Sequence, residues 1–222
     1  MSESDPLFER FGKECAAGEV LFREGEEGDC MYVIREGVVR ITKRMGSEER
    51  PLAELGPGEF FGEMSILNGK PRSATAQVIS PAKLIVIHAR TFEQMVRTNA
   101  EIAIRLIKKL ALRLDRANDL IEVLMHRDPK ARVILGLVNH AHAIGENKEG
   151  GQVFLPLGLD QFCQGIGVSC DEGREVLARL RRLQIAHEGE DEDGRPGIWI
   201  QDLERLRQFF DFLEMRARFG EV

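Results

Sequence analysis

The chain has 222 residues, a hydrophobic fraction of 43% and a formal net charge of -6. That length suits two domains of roughly 100 residues each, and the apolar content excludes wholesale disorder. The acidic balance excludes a general field for nucleic acid, so any DNA contact must come from a local basic patch.

Residues 1–14 carry acidic side chains and no long apolar run, which argues against a secretory signal or a membrane anchor. A cytoplasmic protein is expected. Cys15, Cys30, Cys163 and Cys170 show no tight metal-ligand spacing, so reduced, mostly buried thiols and no bound metal are the expectation.

From residue 19 to 87, short apolar runs (VLF, MYVIREGVVRITK, LAEL, ATAQVI, KLIVI) alternate with glycine-marked turns. Strands at this spacing predict a β-sandwich or barrel of the jelly-roll kind. Gly37 reads as a hairpin turn between strands at 31–35 and 38–41, because glycine tolerates positive φ.

The loop at 61–78, FGEMSILNGKPRSATAQV, carries the chemistry. Gly62 lets the backbone approach a ligand closely. The following residues, including Met64 and Ser65, can form one helical turn whose amides face an anion. Arg72, after Pro71, offers a planar fork for two phosphate oxygens, and Ser73 adds a hydroxyl donor. Glu63 suits a ribose hydroxyl rather than the phosphate. The ligand should therefore carry both groups.

Phe61-Gly62-Glu63 and Pro71-Arg72-Ser73-Ala74 resemble the phosphate-binding cassette of cyclic nucleotide-binding domains, with Gly28-Asp29 and Gly37 agreeing in the flanking strands. The resemblance implies that Glu63 binds the ribose 2′-hydroxyl and Arg72 the cyclic phosphate, with Gly62 and Ser73 holding the same group. A closing ion pair between Arg72 and Glu63 is the plain structural alternative.

Residues 91–125 contain neither proline nor glycine and read as one long helix. Within it Ala103, Ile107, Leu110, Leu114, Ala117, Ile121 and Leu124 recur at alternating spacings of four and three. This narrow heptad stripe predicts a parallel homodimer, with packing on the chain's own sandwich as the alternative.

Residues 128–222 begin with a hinge at Asp128-Pro129 and a helix at 130–144. Helices at 159–165 and 170–183, separated by GIGVS, precede a strand, a charged turn and a strand. Helix-turn-helix plus wing is the economical reading. A final amphipathic helix at 202–219 is expected to pack on that domain through Leu203, Leu206, Phe209, Phe210 and Leu213.

The whole chain resembles the dimeric transcription regulators of the cyclic-AMP receptor and FNR type. That resemblance implies an α+β chain: a β jelly-roll cyclic nucleotide-binding domain (1–98), a long dimerisation helix (99–127) and a winged helix-turn-helix domain with an extra helix (128–222). It further implies that Asn118 stands where the family reads the purine, with cyclic AMP the preferred effector and cyclic GMP next; a solvated helix residue is the alternative. Candidate DNA contacts are Ser169, Cys170, Asp171, Arg174 and Arg179 on the second helix, and Arg195 in the wing. Asp171, Glu172 and Glu175 repel phosphates, so a protein partner for this domain competes with DNA. His88, His126, His140, His142 and His187 form no legible catalytic set, and no enzymatic activity is expected.

Overall fold

The computed structural model describes residues 6–219, so the acidic start at 1–5 lies outside the described residues. Contacts divide the chain into two compact units that part between Arg105 and Leu106.

The first unit is built on antiparallel strands. A short helix α1 (Pro6–Phe11) leads into β1 (Gly12–Cys15), β2 (Val20–Phe22), β3 (Cys30–Met45), β4 (Glu48–Leu55) and β5 (Phe60–Phe61). Helix α2 (Glu63–Asn68) and the long β6 (Thr75–His88) follow. Among the described residues the strands form one sheet in the order β1-β6-β3-β4, with β2 added to β6 and β5 to β3. Its inward side chains, among them Phe22, Tyr32, Ile34, Val39, Phe61, Val78 and Leu84, form one apolar cluster.

Gly37 does not reverse the chain. It lies inside one continuous 16-residue β3, at φ 87°, where the pairing with β6 shifts register on both sides. A Cβ there would stand 2.5 Å from the Pro81 carbonyl oxygen, so the two backbones approach as only glycine permits. The expected hairpin is thus a bulge, which bends a strand without ending it. Opposite it, the runs ATAQVI and KLIVI join into the single strand β6 across Ser80 and Pro81, the latter placed where a missing N–H is tolerated.

The long helix is also not one piece. Helix α3 (Ala89–Thr98) ends at Asn99, which is extended at φ -136° and ψ 99°, and α4 (Ala100–Met125) begins after it. The Glu101 amide donates to Asn99 Oδ1 at 3.0 Å, while Thr98 Oγ1 turns back to the Gln94 carbonyl at 2.7 Å. Local side-chain hydrogen bonds of this kind end a helix without proline or glycine.

In the second unit α5 (Pro129–Ile144) starts on Asp128, whose carboxylate accepts from the Lys130 amide at 2.9 Å, with proline in the first turn. Then come β7 (Glu146–Asn147), β8 (Val153–Leu155), α6 (Leu159–Gly165), α7 (Cys170–Arg182), β9 (Ala186–Glu190) and β10 (Pro196–Ile200). The strands form an antiparallel sheet in the order β7-β8-β10-β9. The loop 145–152 therefore contributes an edge strand that its polar composition hides.

Helix α8 (Leu203–Phe219) closes the unit. Leu206 is fully buried, and Leu203, Phe209, Phe210 and Leu213 pack against the same core, as their spacing predicts. Among the described residues no helix is long and apolar enough to cross a membrane.

Candidate functional site

The strand β5 pairs with β3 through Tyr32 and Phe61, whose rings stack at 5.1 Å with Phe22 alongside at 5.9 and 6.0 Å. This aromatic floor anchors the start of the 61–74 segment. Gly62 then turns into α2 through φ 78°, a conformation that favours glycine. Glu63 and Ser65 are buried on α2, whereas Met64 is exposed.

Arg72 is held from both sides of its backbone. Its N–H donates to the Glu26 carbonyl at 2.8 Å, and its own carbonyl accepts from Gly25 at 2.9 Å. Ser73 beside it is exposed, with its hydroxyl 3.6 Å from Met64 Sδ, and Ala74 is buried.

The guanidinium is 5% exposed and lies over the Phe22 ring, 4.1 Å from its centroid. Nη1 donates to the carbonyls of Cys30 and Gly62, both at 2.8 Å. Nη2 stands 3.6 Å from Cys30 Sγ. Nε is buried and has no hydrogen-bond partner. A Cβ on Gly28 would sit 2.3 Å from Nε, and one on Gly62 2.7 Å from Nη1, so both glycines are the condition for this placement.

A fixed cation held by neutral carbonyls and a ring retains its full charge. Leaving a buried donor unsatisfied costs about 1–3 kcal/mol, and an anionic oxygen brought to the Nε and Nη2 edge would recover it. The residues present therefore fit a small anion such as a cyclic phosphate. Burial pushes the Tyr32 phenol above its ordinary value, reinforced by its contact with Cys30, so the phenol beside Phe22 and Phe61 stays neutral. Phe22 and the Cys30 carbonyl are partners that motif reading missed; they lie 50 and 42 positions from Arg72, and no spacing rule links them.

The remaining candidates, Ala103 apart, lie in the second unit. Asn118 is exposed on α4. On the same helix Ile107, Leu114, Ile121 and Leu124 are 63%, 62%, 55% and 48% exposed, with Ala117 exposed and Ala103 and Leu110 partly so. A row of large aliphatic side chains this exposed is uncommon on a monomer's surface.

On α7, Ser169 and Glu172 form a reciprocal capping box. Cys170 is partly buried, and its thiol is raised by a hydrogen bond to Asp160 and by burial. Asp171 is exposed. Arg174 stands 3.4 Å from both Asp160 and Asp171, and Arg179 stands 3.2 Å from Glu175. Arg195, in the turn between β9 and β10, is gripped by Glu146 and Asp191, and this pairing pushes its pKa up.

Residues 13–99 match the family model of the cyclic nucleotide-binding domain. The chain is 31% identical over 192 residues to a CRP-like cAMP-activated global transcriptional regulator of Mycobacterium tuberculosis, covering 85% of this chain and 83% of that one. The chain belongs to the CRP-like family of transcriptional regulators. Solved structures agree on the fold of this CRP-like chain. A CooA mutant from Carboxydothermus hydrogenoformans superposes with a TM-score of 0.73 at 18% identity, over 95% of this chain and 92% of that one. A CRP/FNR family transcriptional regulator from Thermus thermophilus gives 0.61 at 24% identity, over 90% and 98%.

Proposed function

We propose that this chain is a homodimeric, non-enzymatic regulator that binds cyclic AMP, with cyclic GMP as the weaker effector, and thereby controls DNA binding by its winged helix. Its compartment is then the cytoplasm. The observation that carries the reading is the buried Arg72 with an orphaned Nε beneath two glycines. In this reading Arg72, Ser73, Gly62 and Ala74 hold the cyclic phosphate. Glu63 takes the ribose 2′-hydroxyl, and Phe61, Met64 and Ser65 shape the turn. Asn118 offers the base edge both a donor and an acceptor.

The domain scheme is a nucleotide-binding β-roll at 1–98, a dimerisation helix within 99–127 and a winged helix-turn-helix domain at 128–222. The helix α4 is the element that the division at Arg105 and Leu106 cuts, so it belongs covalently to both units. An effector that binds better to one arrangement of this helix pair shifts the population of that arrangement, by no more than its difference in affinity. Exposure of Ile107, Leu114 and Ile121 supports pairing through this helix.

A second reading keeps the nucleotide switch and gives the winged domain a protein partner. It is favoured by the carboxylates that pair in cis with Arg174, Arg179 and Arg195. Calorimetry with cyclic AMP and cyclic GMP tests the sensor: heat from neither ends it. Selection from random duplex DNA at fixed salt separates the two readings, since a nucleotide-dependent sequence preference removes the second and its absence removes the first.

A further inference from the structure

Asp29, Cys30 and His88 come together at the junction of β3, β6 and α3. Cys30 and His88 are direct partners in the antiparallel ladder, so their side chains leave the sheet on the same face. The Ala89 amide donates to the Asp29 carbonyl at 2.8 Å, which ties the third residue to the same corner. His88 Nδ1 stands 3.2 Å from Asp29 Oδ2, and one ligand atom from each of the three lies within 4.8 Å of the others.

We propose that Asp29, Cys30 and His88 bind a thiophilic divalent cation of the zinc class, with a water or external ligand completing the shell. One sulfur, one imidazole nitrogen and one carboxylate oxygen form a donor set that zinc accepts and that magnesium or calcium does not. Bond lengths of about 2.0–2.3 Å require ligand atoms about 3.3–3.7 Å apart in a tetrahedron. The Asp29 and His88 pair, at 3.2 Å, lies about 0.1 Å short of that spacing.

The sulfur comes from a buried residue, and the other two side chains are 61% (His88) and 82% (Asp29) exposed, so they can rotate onto a metal without disturbing the core. Exposure of that degree makes the Asp29 and His88 pair worth little as a salt bridge, so fold stability does not account for the grouping. The Arg72 guanidinium, 3.6 Å from Cys30 Sγ, offsets the charge that a thiolate ligand brings. The backbone positions are fixed by the ladder and the Asp29 contact, which is the preorganisation a metal site needs.

The test is a titration of the reduced full chain with Co2+ in the absence of any nucleotide, followed by absorbance. The expected result is a saturable band from thiolate-to-cobalt charge transfer at one metal per chain, displaced by Zn2+. Cys30→Ser abolishes the band, and His88→Ala and Asp29→Asn each weaken binding by at least tenfold, while Cys15→Ser leaves it intact. The two exposed positions keep the test decisive if Cys30→Ser fails to fold, which circular dichroism reports. A wild-type chain without a stoichiometric band, a band that survives Cys30→Ser, or binding indifferent to both His88→Ala and Asp29→Asn overturns the site.

Discussion

Arg72 and Arg195 are both tightly held arginines, and they are held by opposite chemistry. Arg72 is buried and rests on two carbonyls and a phenyl ring, so its positive charge is uncancelled and one donor is unmatched. Arg195 lies 45% exposed and spends its fork on the carboxylates of Glu146 and Asp191. An arginine fixed by neutral acceptors awaits an anion; one fixed by carboxylates already has it. The first unit therefore offers an anion an unmatched donor, whereas Arg174, Arg179 and Arg195 must exchange partners before they can serve DNA.

The comparison breaks most readily at Arg72. Replacement by alanine should weaken cyclic nucleotide binding by about 2–5 kcal/mol, as loss of one partner of a desolvated charge contact does. Calorimetry reads it, and Arg72→Lys should recover only part because a point charge lacks the planar fork. Unchanged affinity for Arg72→Ala would remove the arginine from the pocket.

Gly28→Ala puts a methyl group 2.3 Å from Arg72 Nε, inside its van der Waals contact. The overpacked corner should cost about 1–3 kcal/mol of stability and roughly tenfold in nucleotide affinity. Denaturant unfolding and calorimetry on the same variant check both, and normal affinity would mean that the guanidinium has another productive position.

On the winged side the contrast sharpens by neutralising the competitors. The triple variant Asp160→Asn, Asp171→Asn, Glu175→Gln frees Arg174 and Arg179 from their carboxylates. If these arginines meet DNA phosphates, affinity should rise severalfold and the logarithmic salt slope should steepen by up to about two, near one per phosphate contact. Fluorescence anisotropy across a salt series decides it, and an unaltered slope places both arginines away from the backbone.

The smallest effect concerns pH. His140 is partly buried, and burial lowers its pKa below the ordinary 6.5, the Gly136 carbonyl hydrogen bond opposing only in part. The folded-state value is depressed, so its contribution is present above the unfolded value and fades as pH falls below about 6.5. His187, lowered by burial and by Arg181, acts in the same direction. The melting temperature of the winged unit should decline from pH 7 towards pH 5, and less so in His140→Gln.

Local chemistry was legible in the amino-acid order wherever one short segment carries it. The segment 61–74 announces an anion loop because its glycines, carboxylate, arginine and hydroxyl act within a few residues of one another. The heptad on α4 is legible for the same reason: helical periodicity is set by neighbours three or four positions apart. The family could be named on those segments.

Tertiary structure alone decided what depends on distant pairs. Whether Gly37 makes a turn or a bulge depended on the close approach of β6, more than forty residues later. The burial of Arg72 over Phe22 and the gathering of Asp29, Cys30 and His88 arise where strands far apart in sequence are hydrogen-bonded side by side. The cis carboxylates that cancel the charge of Arg195 also come from another strand and a turn. Spacing along a chain carries no record of such contacts, because a β-ladder joins residues by register across strands and not by their separation in sequence.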